Sequence, residues 1–161
     1  MKATNLKKVL IALDFDPTAK KVAEVGYALG KSLKAEVVLL HVVSDPLHYN
    51  AYRQFTVMGF SGYDDTVPLI LDGTKELKEE SVKFLEKSKL HLADSTIQIL
   101  VNEGDIAESI MATAKKIKAD IIILGSHSQK WLENVLMGSV TEKILKISSI
   151  PIFIIPTKKR L

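Results

Sequence analysis

Short apolar runs return along this chain at roughly thirty-residue intervals, and amphipathic stretches lie between them. The runs occupy residues 8–13, 36–43, 96–101, 121–124 and 150–155. Most are unbroken (Val9 to Leu13, Val37 to Leu40, Ile121 to Leu124), as expected of parallel strands covered on both faces. The third alternates from Ile97 through Gln98 to Val101, which fits a strand nearer the sheet edge. Strand and helix in alternation predict an α/β fold. It is a doubly wound, five-stranded parallel sheet of Rossmann-like type with helices on both faces. One domain over residues 1–161, with four main helices, accounts for the whole pattern.

The helices carry their own signals. Asp16 suits a helix cap with Pro17 at the first helical position, followed by Val22, Val25, Leu29 and Leu33 at helical spacing. Residues 74–91 form a charged amphipathic stretch with Leu77, Phe84, Leu85 and Leu92 inward. Gly104 turns the chain into a third helix bearing Ile106, Ile110, Ala114 and Ile117 on one side, with Asp105 at the positive end of its dipole. Val140, Ile144 and Ile147 face inward on a fourth, which Ser148 and Ser149 end. His41, between Leu40 and Val42, reads as a buried, hydrogen-bonded histidine.

Residues 44–72 break the rhythm with Pro46, Gly59, Gly62 and Pro68, yet hold Tyr49, Tyr52, Phe55 and Phe60. An insert of that length and aromatic content is expected to cover the site or to meet a partner.

Composition narrows the function classes. Hydrophobic residues make up 47% and charged residues 25%, which suits a globular domain and not a disordered chain. No cysteine is present, so disulfides, zinc-thiolate sites and thiol nucleophiles are excluded; the absence suits a cytoplasmic protein. The first apolar run ends at Asp14, too soon for a secretory core or a membrane span. A net charge of +3 is spread along helices beside glutamates, a pattern of solvated faces that does not point to nucleic acid.

The functional signal lies at LGSHSQKWLENVLMGSVTEKIL, residues 124–145. A strand stopping at Gly125 and a helix opening after Gly138 would bring unpaired amides and a positive helix end to one small space. That outlines an anion site. Ser139 and Thr141 add hydroxyls able to cap the helix or to bond a phosphate; taken singly, Gly125 could merely turn the chain and Ser139 merely cap it. The stretch resembles the signature of the universal stress protein family, whose nucleotide-binding members carry Gly, two residues, Gly, nine residues, Gly, then Ser or Thr. Gly125, Gly138 and Ser139 match, whereas Ser128 stands at the second glycine. The resemblance extends over nearly the whole chain, through Asp14, LLHVV, Gly104 and PIFIIP.

It implies an adenine nucleotide alpha hydrolase-like fold with ATP or AMP beyond the carboxyl ends of the strands. Asp14 would meet the adenine edge, the backbone of Val42 would bond the base, and Gly104 would lie near the ribose. Gly125, His127, Ser128, Gly138, Ser139, Val140 and Thr141 would hold the phosphates, with Mg2+ or Mn2+ bridging them. Ser128 would either crowd those phosphates or bond them through its hydroxyl. The resemblance also implies a homodimer through the strand at 150–155, whose apolar edge needs covering. Lys130 is a further phosphate-side cation, and Trp131 and Leu132 anchor the loop. No catalytic constellation or protein-only metal cluster is visible in the sequence. The expected function is nucleotide-binding regulation in the stress response. The alternatives are a nucleotide-free dimeric interaction module with an unknown protein partner, or a slow ATP hydrolase.

Overall fold

The computed structural model describes residues 5–44, 74–126 and 138–157. All but the first residue of the 44–72 insert lies outside them. So do His127, Ser128, Lys130, Trp131 and Leu132.

Among the described residues, five strands, β1 (Lys8–Ala12), β2 (Glu36–Val43), β3 (Gln98–Glu103), β4 (Ile121–Gly125) and β5 (Ile152–Ile155), alternate with helices α1 (Ala19–Ser32), α2 (Thr74–His91), α3 (Ile106–Ile117) and α4 (Ser139–Ile147). All four pairings are parallel, in the order β3-β2-β1-β4-β5. The chain therefore winds outward from β1 to β3, returns across to β4 beside β1, and ends at β5. Its winding reverses between β1 and β4, the position at which such sheets open a crevice at their carboxyl ends.

Alternation along the strands sorts the core into two layers. Val9, Ile11, Leu39 and Ile123 pack toward Val22 and Ala23 of α1 and Phe84 and Leu85 of α2. Leu10, Val38, Leu40, Ile122 and Leu124 pack toward Ile110, Met111 and Ala114 of α3 and Ile144 of α4. A strand buried on both faces must be apolar at every position, which explains the unbroken runs.

Several elements depart from the sequence reading for identifiable reasons. Helix α1 starts at Ala19 because the Asp16 carboxylate closes a turn of its own. It accepts from the Thr18 N–H at 2.8 Å and from the Thr18 hydroxyl at 2.6 Å. Val25 is exposed, and the buried stripe of α1 is Ala19, Val22, Ala23, Gly26 and Gly30. A Cβ at Gly30 would stand 2.7 Å from Val37 Cγ2, so the missing side chain is what lets this helix lie on the sheet. Strand β3 begins at Gln98, since Thr96 is held in a turn by Asp94 Oδ1. Strand β5 begins at Ile152, because Ile150 bonds Ser148 through both its N–H and its carbonyl. Ile147 is 48% exposed, on the outer side of α4.

Candidate functional site

Parallel pairing places the last residues of all five strands at one end of the sheet. Asp14 follows β1, Val42 lies near the end of β2, Gly104 follows β3 and Gly125 closes β4. Residues 14, 42, 104 and 125, distant in sequence, thus share one edge.

Two backbone bonds shape the β1 and β2 side. The ladder between them continues one step past β1, with the Leu13 N–H donating to the Leu40 carbonyl at 2.9 Å. Val42 lies two residues beyond Leu40. In a strand the same backbone edge recurs every second residue, so Val42 turns its N–H and carbonyl toward the β1–α1 turn. That turn carries Asp14, whose side is exposed. On the other edge of β2, the Gly104 N–H donates to Val43 at 3.0 Å. Gly104 has φ +127°, a conformation open to glycine and not to residues with a Cβ.

His41 is 3% exposed and sits beneath this turn. Its Nδ1–H donates to the Leu13 carbonyl at 2.7 Å, and its ring lies 4.4 Å from that of Phe15 and 5.9 Å from that of Phe84. Burial pushes its pKa down to about 4, against a smaller upward pull from the Leu13 bond, so the ring is neutral at pH 7. The sequence reading of a buried, hydrogen-bonded histidine agrees with this. What that reading lacked is the partner, the residue immediately before Asp14.

On the β4 side, Gly138 is the residue before α4, with φ −73° and ψ 157°, and it supplies no side-chain cap. Helix α3 differs, since Asp105 Oδ1 accepts from the Glu108 N–H at 2.9 Å. The first amides of any helix have no partner within it, and here the residue at the cap position cannot serve them. Ser139, which could have been a cap, lies inside the first turn and is exposed. The hydroxyl of Thr141 donates instead to the Gly125 carbonyl at 3.2 Å and so fastens the start of α4 to the end of β4. Gly125 is the last residue of its strand and pairs with Ile155.

Ser126 was not singled out from sequence. Its N–H donates to the Ile155 carbonyl at 2.9 Å and its hydroxyl accepts from the Thr157 N–H at 3.1 Å, which ties the exit from β4 to the tip of β5. A polar residue directly after the strand glycine was the available signal. Of the expected site residues, Asp14, Val42, Gly104, Gly125, Gly138, Ser139, Val140 and Thr141 are brought to the carboxyl end of the sheet. His127 and Ser128 lie outside the described residues.

A match to the universal stress protein family spans residues 5–156. This chain belongs to that family. Within it, the chain is 33% identical to universal stress protein MJ0577 of Methanocaldococcus jannaschii, over 94% of this chain and 96% of the relative. It is 31% identical to the stress response protein NhaX of Bacillus subtilis, over 92% and 96% respectively. The solved structure of MJ0577 superposes with a TM-score of 0.70 at 28% identity, covering 98% of this chain and all of the other (100%). A universal stress protein crystallised in complex with cAMP shares the fold at 13% identity, with a TM-score of 0.62 over 96% of this chain and 100% of that one. Among the described residues of this family member, no helix is long and apolar enough to cross a membrane.

Proposed function

We propose that this universal stress protein binds an adenine nucleotide, ATP or AMP, at the carboxyl ends of β1, β2 and β4 and acts as a cytoplasmic regulator of the stress response. The observation that carries the reading is the first turn of α4. Its cap position is Gly138, which supplies no side-chain cap, and it is fastened to the end of β4 by the Thr141–Gly125 bond, beside the point where the winding of the sheet reverses. Amides presented there suit phosphate oxygens, and Ser139 adds an exposed hydroxyl. The base takes the Asp14 and Val42 side, and Gly104 borders the ribose. His127 and Ser128 complete the phosphate loop.

A divalent ion, Mg2+ or Mn2+, fits this arrangement when carried on the phosphates, because such ions favour phosphate and water oxygens with one or two protein donors. Ser139 is an oxygen donor of that kind. The ion would neutralise phosphate charge; the chain's own part is to bind and orient.

The whole chain acts as one domain. The 44–72 insert responds to the nucleotide, and two copies pair through β5. Phe153 is 42% exposed on that edge strand, and Leu145 at 42% and Ile147 at 48% are exposed on α4; apolar surface of this kind favours a dimer. They also support the second reading, a nucleotide-free dimeric module for an unknown protein partner. Slow ATP hydrolysis is a third outcome, marked by turnover above background that is lost in His127→Ala.

Thermal melting with and without ATP and Mg2+ tests the reading. Ligand at a hundredfold excess over Kd adds about 2.7 kcal/mol, which raises Tm by several degrees. An unchanged Tm at millimolar ATP would support the nucleotide-free module instead.

A further inference from the structure

Asp14 is held from both sides by one residue. His41 bonds the carbonyl of Leu13, before it, at 2.7 Å, and packs its ring 4.4 Å from that of Phe15, after it. Phe84 of α2 closes the cluster, 5.1 Å from Phe15 and 5.9 Å from His41. The histidine is 3% exposed and its Nε2 has no hydrogen-bond partner among the described residues, so Nδ1 is the one polar tie the ring makes there. Breaking a buried hydrogen bond of this kind is costly, so the ring holds the Leu13 carbonyl in place.

We propose that His41 is a positioning residue that sets base selectivity, by holding the Asp14-bearing turn against the tip of β2. The inference rests on the nucleotide reading above. Its chemistry is that of a hydrogen-bond edge. A carboxylate accepts only, so Asp14 suits the exocyclic amino group of adenine and opposes the carbonyl oxygen that guanine carries at the same place. Such discrimination depends on the carboxylate being held within hydrogen-bond range, because an edge free to swing away admits either base. Val42, one residue after His41, offers its backbone to the same side. One histidine thus sets the spacing between the two groups expected to read the base.

The charged groups on the neighbouring elements leave this role to the neutral ring. Asp14 is exposed and Asp16 half-buried on the turn, Glu80 on α2 is paired with Lys83 at 2.7 Å, and Glu103 at the tip of β3 is paired with Lys78.

The test is equilibrium binding of ATP, GTP and inorganic tripolyphosphate, each with Mg2+ at pH 7.5, to the full chain and to His41→Phe, His41→Asn and His41→Gln. The wild type is expected to prefer ATP over GTP. His41→Phe keeps an aromatic ring but loses the donor. It should weaken ATP about tenfold, and so narrow the preference, while tripolyphosphate stays within about twofold. Asn places its amide nitrogen near the Nδ1 position and should keep the preference; Gln reaches the Nε2 position and should not. If His41→Phe fails to fold, the Asn and Gln pair decides. A preference equal to wild type in both Phe and Gln variants, or equal loss in Asn and Gln, overturns the inference. A wild type that binds no ATP instead removes the nucleotide reading on which it rests.

Discussion

The hydroxyl of Thr141 donates to the carbonyl of Gly125 across 3.2 Å, so the first turn of α4 is fastened to the last residue of β4. Thr141 is 5% exposed, and valine matches its shape without the donor. Thr141→Val removes the bond and leaves a carbonyl short of a partner, at a cost of about 1–2 kcal/mol in chemical denaturation. ATP affinity should fall with it, because the amides of that turn lose their anchor. A variant as stable as wild type with undiminished affinity would show that the bond positions nothing.

Acid should destabilise the protein through His41. Its folded pKa lies near 4 and its ordinary value is 6.5, so between those limits the unfolded chain takes up a proton that the folded chain refuses. Stability from this residue is complete above about pH 6.5 and declines as pH falls, by about 1.4 kcal/mol per unit and about 3 kcal/mol in all. Denaturant midpoints measured from pH 7 to pH 4 check this. His41→Phe should lose that part of the slope, and an unaltered slope would refute the assignment.

The edge of β5 gives a prediction for assembly. Phe153 is 42% exposed on a four-residue edge strand. Light scattering should report a dimer for the wild type and a monomer for Phe153→Asp, since a buried, unpaired carboxylate is costly at an apolar interface. A monomeric wild type would contradict pairing through this strand.

Helix α1 offers a packing test. With Val37 Cγ2 2.7 Å from where a Cβ would stand, Gly30→Val should cost about 2–3 kcal/mol. Gly30→Ala should cost less, as alanine recovers about 1 kcal/mol of helix propensity. Urea unfolding of the two variants measures both effects.

The fold was legible because its strands are buried on both faces, and that requirement writes itself as unbroken apolar runs. Strand β2 and helix α2 occur where the sequence placed them, at 36–43 and 74–91. The buried face of α1 was not legible. Periodicity ranks residues by apolarity, whereas the contact at Gly30 is made by the absence of a side chain, which draws the stripe away from Val25. Element ends moved where a side chain claimed the backbone first, as Asp16 does at Thr18 and Asp94 at Thr96.

At the site, the glycine spacing pointed to Gly125 and Gly138, and parallel strands carried Asp14 and Gly104 to the same edge. The ties of Ser126 to Thr157 and of His41 to Leu13 join residues 31 and 28 positions apart. Apart from the polar residue after Gly125, no local pattern points to them, because the partners meet only when the finished sheet brings different strand ends together.

The central claim is that the carboxyl end of this sheet holds an adenine nucleotide against the first turn of α4. Gly138 has φ −73°, which valine adopts without strain, so Gly138→Val should keep the fold while filling the space before that turn. Isothermal titration of both proteins with ATP and Mg2+ tests the claim most directly. The account predicts one saturable site per chain in the wild type, with Kd on the order of micromolar, and no measurable binding in the variant. Absence of binding in the wild type, or equal binding in both, would contradict it.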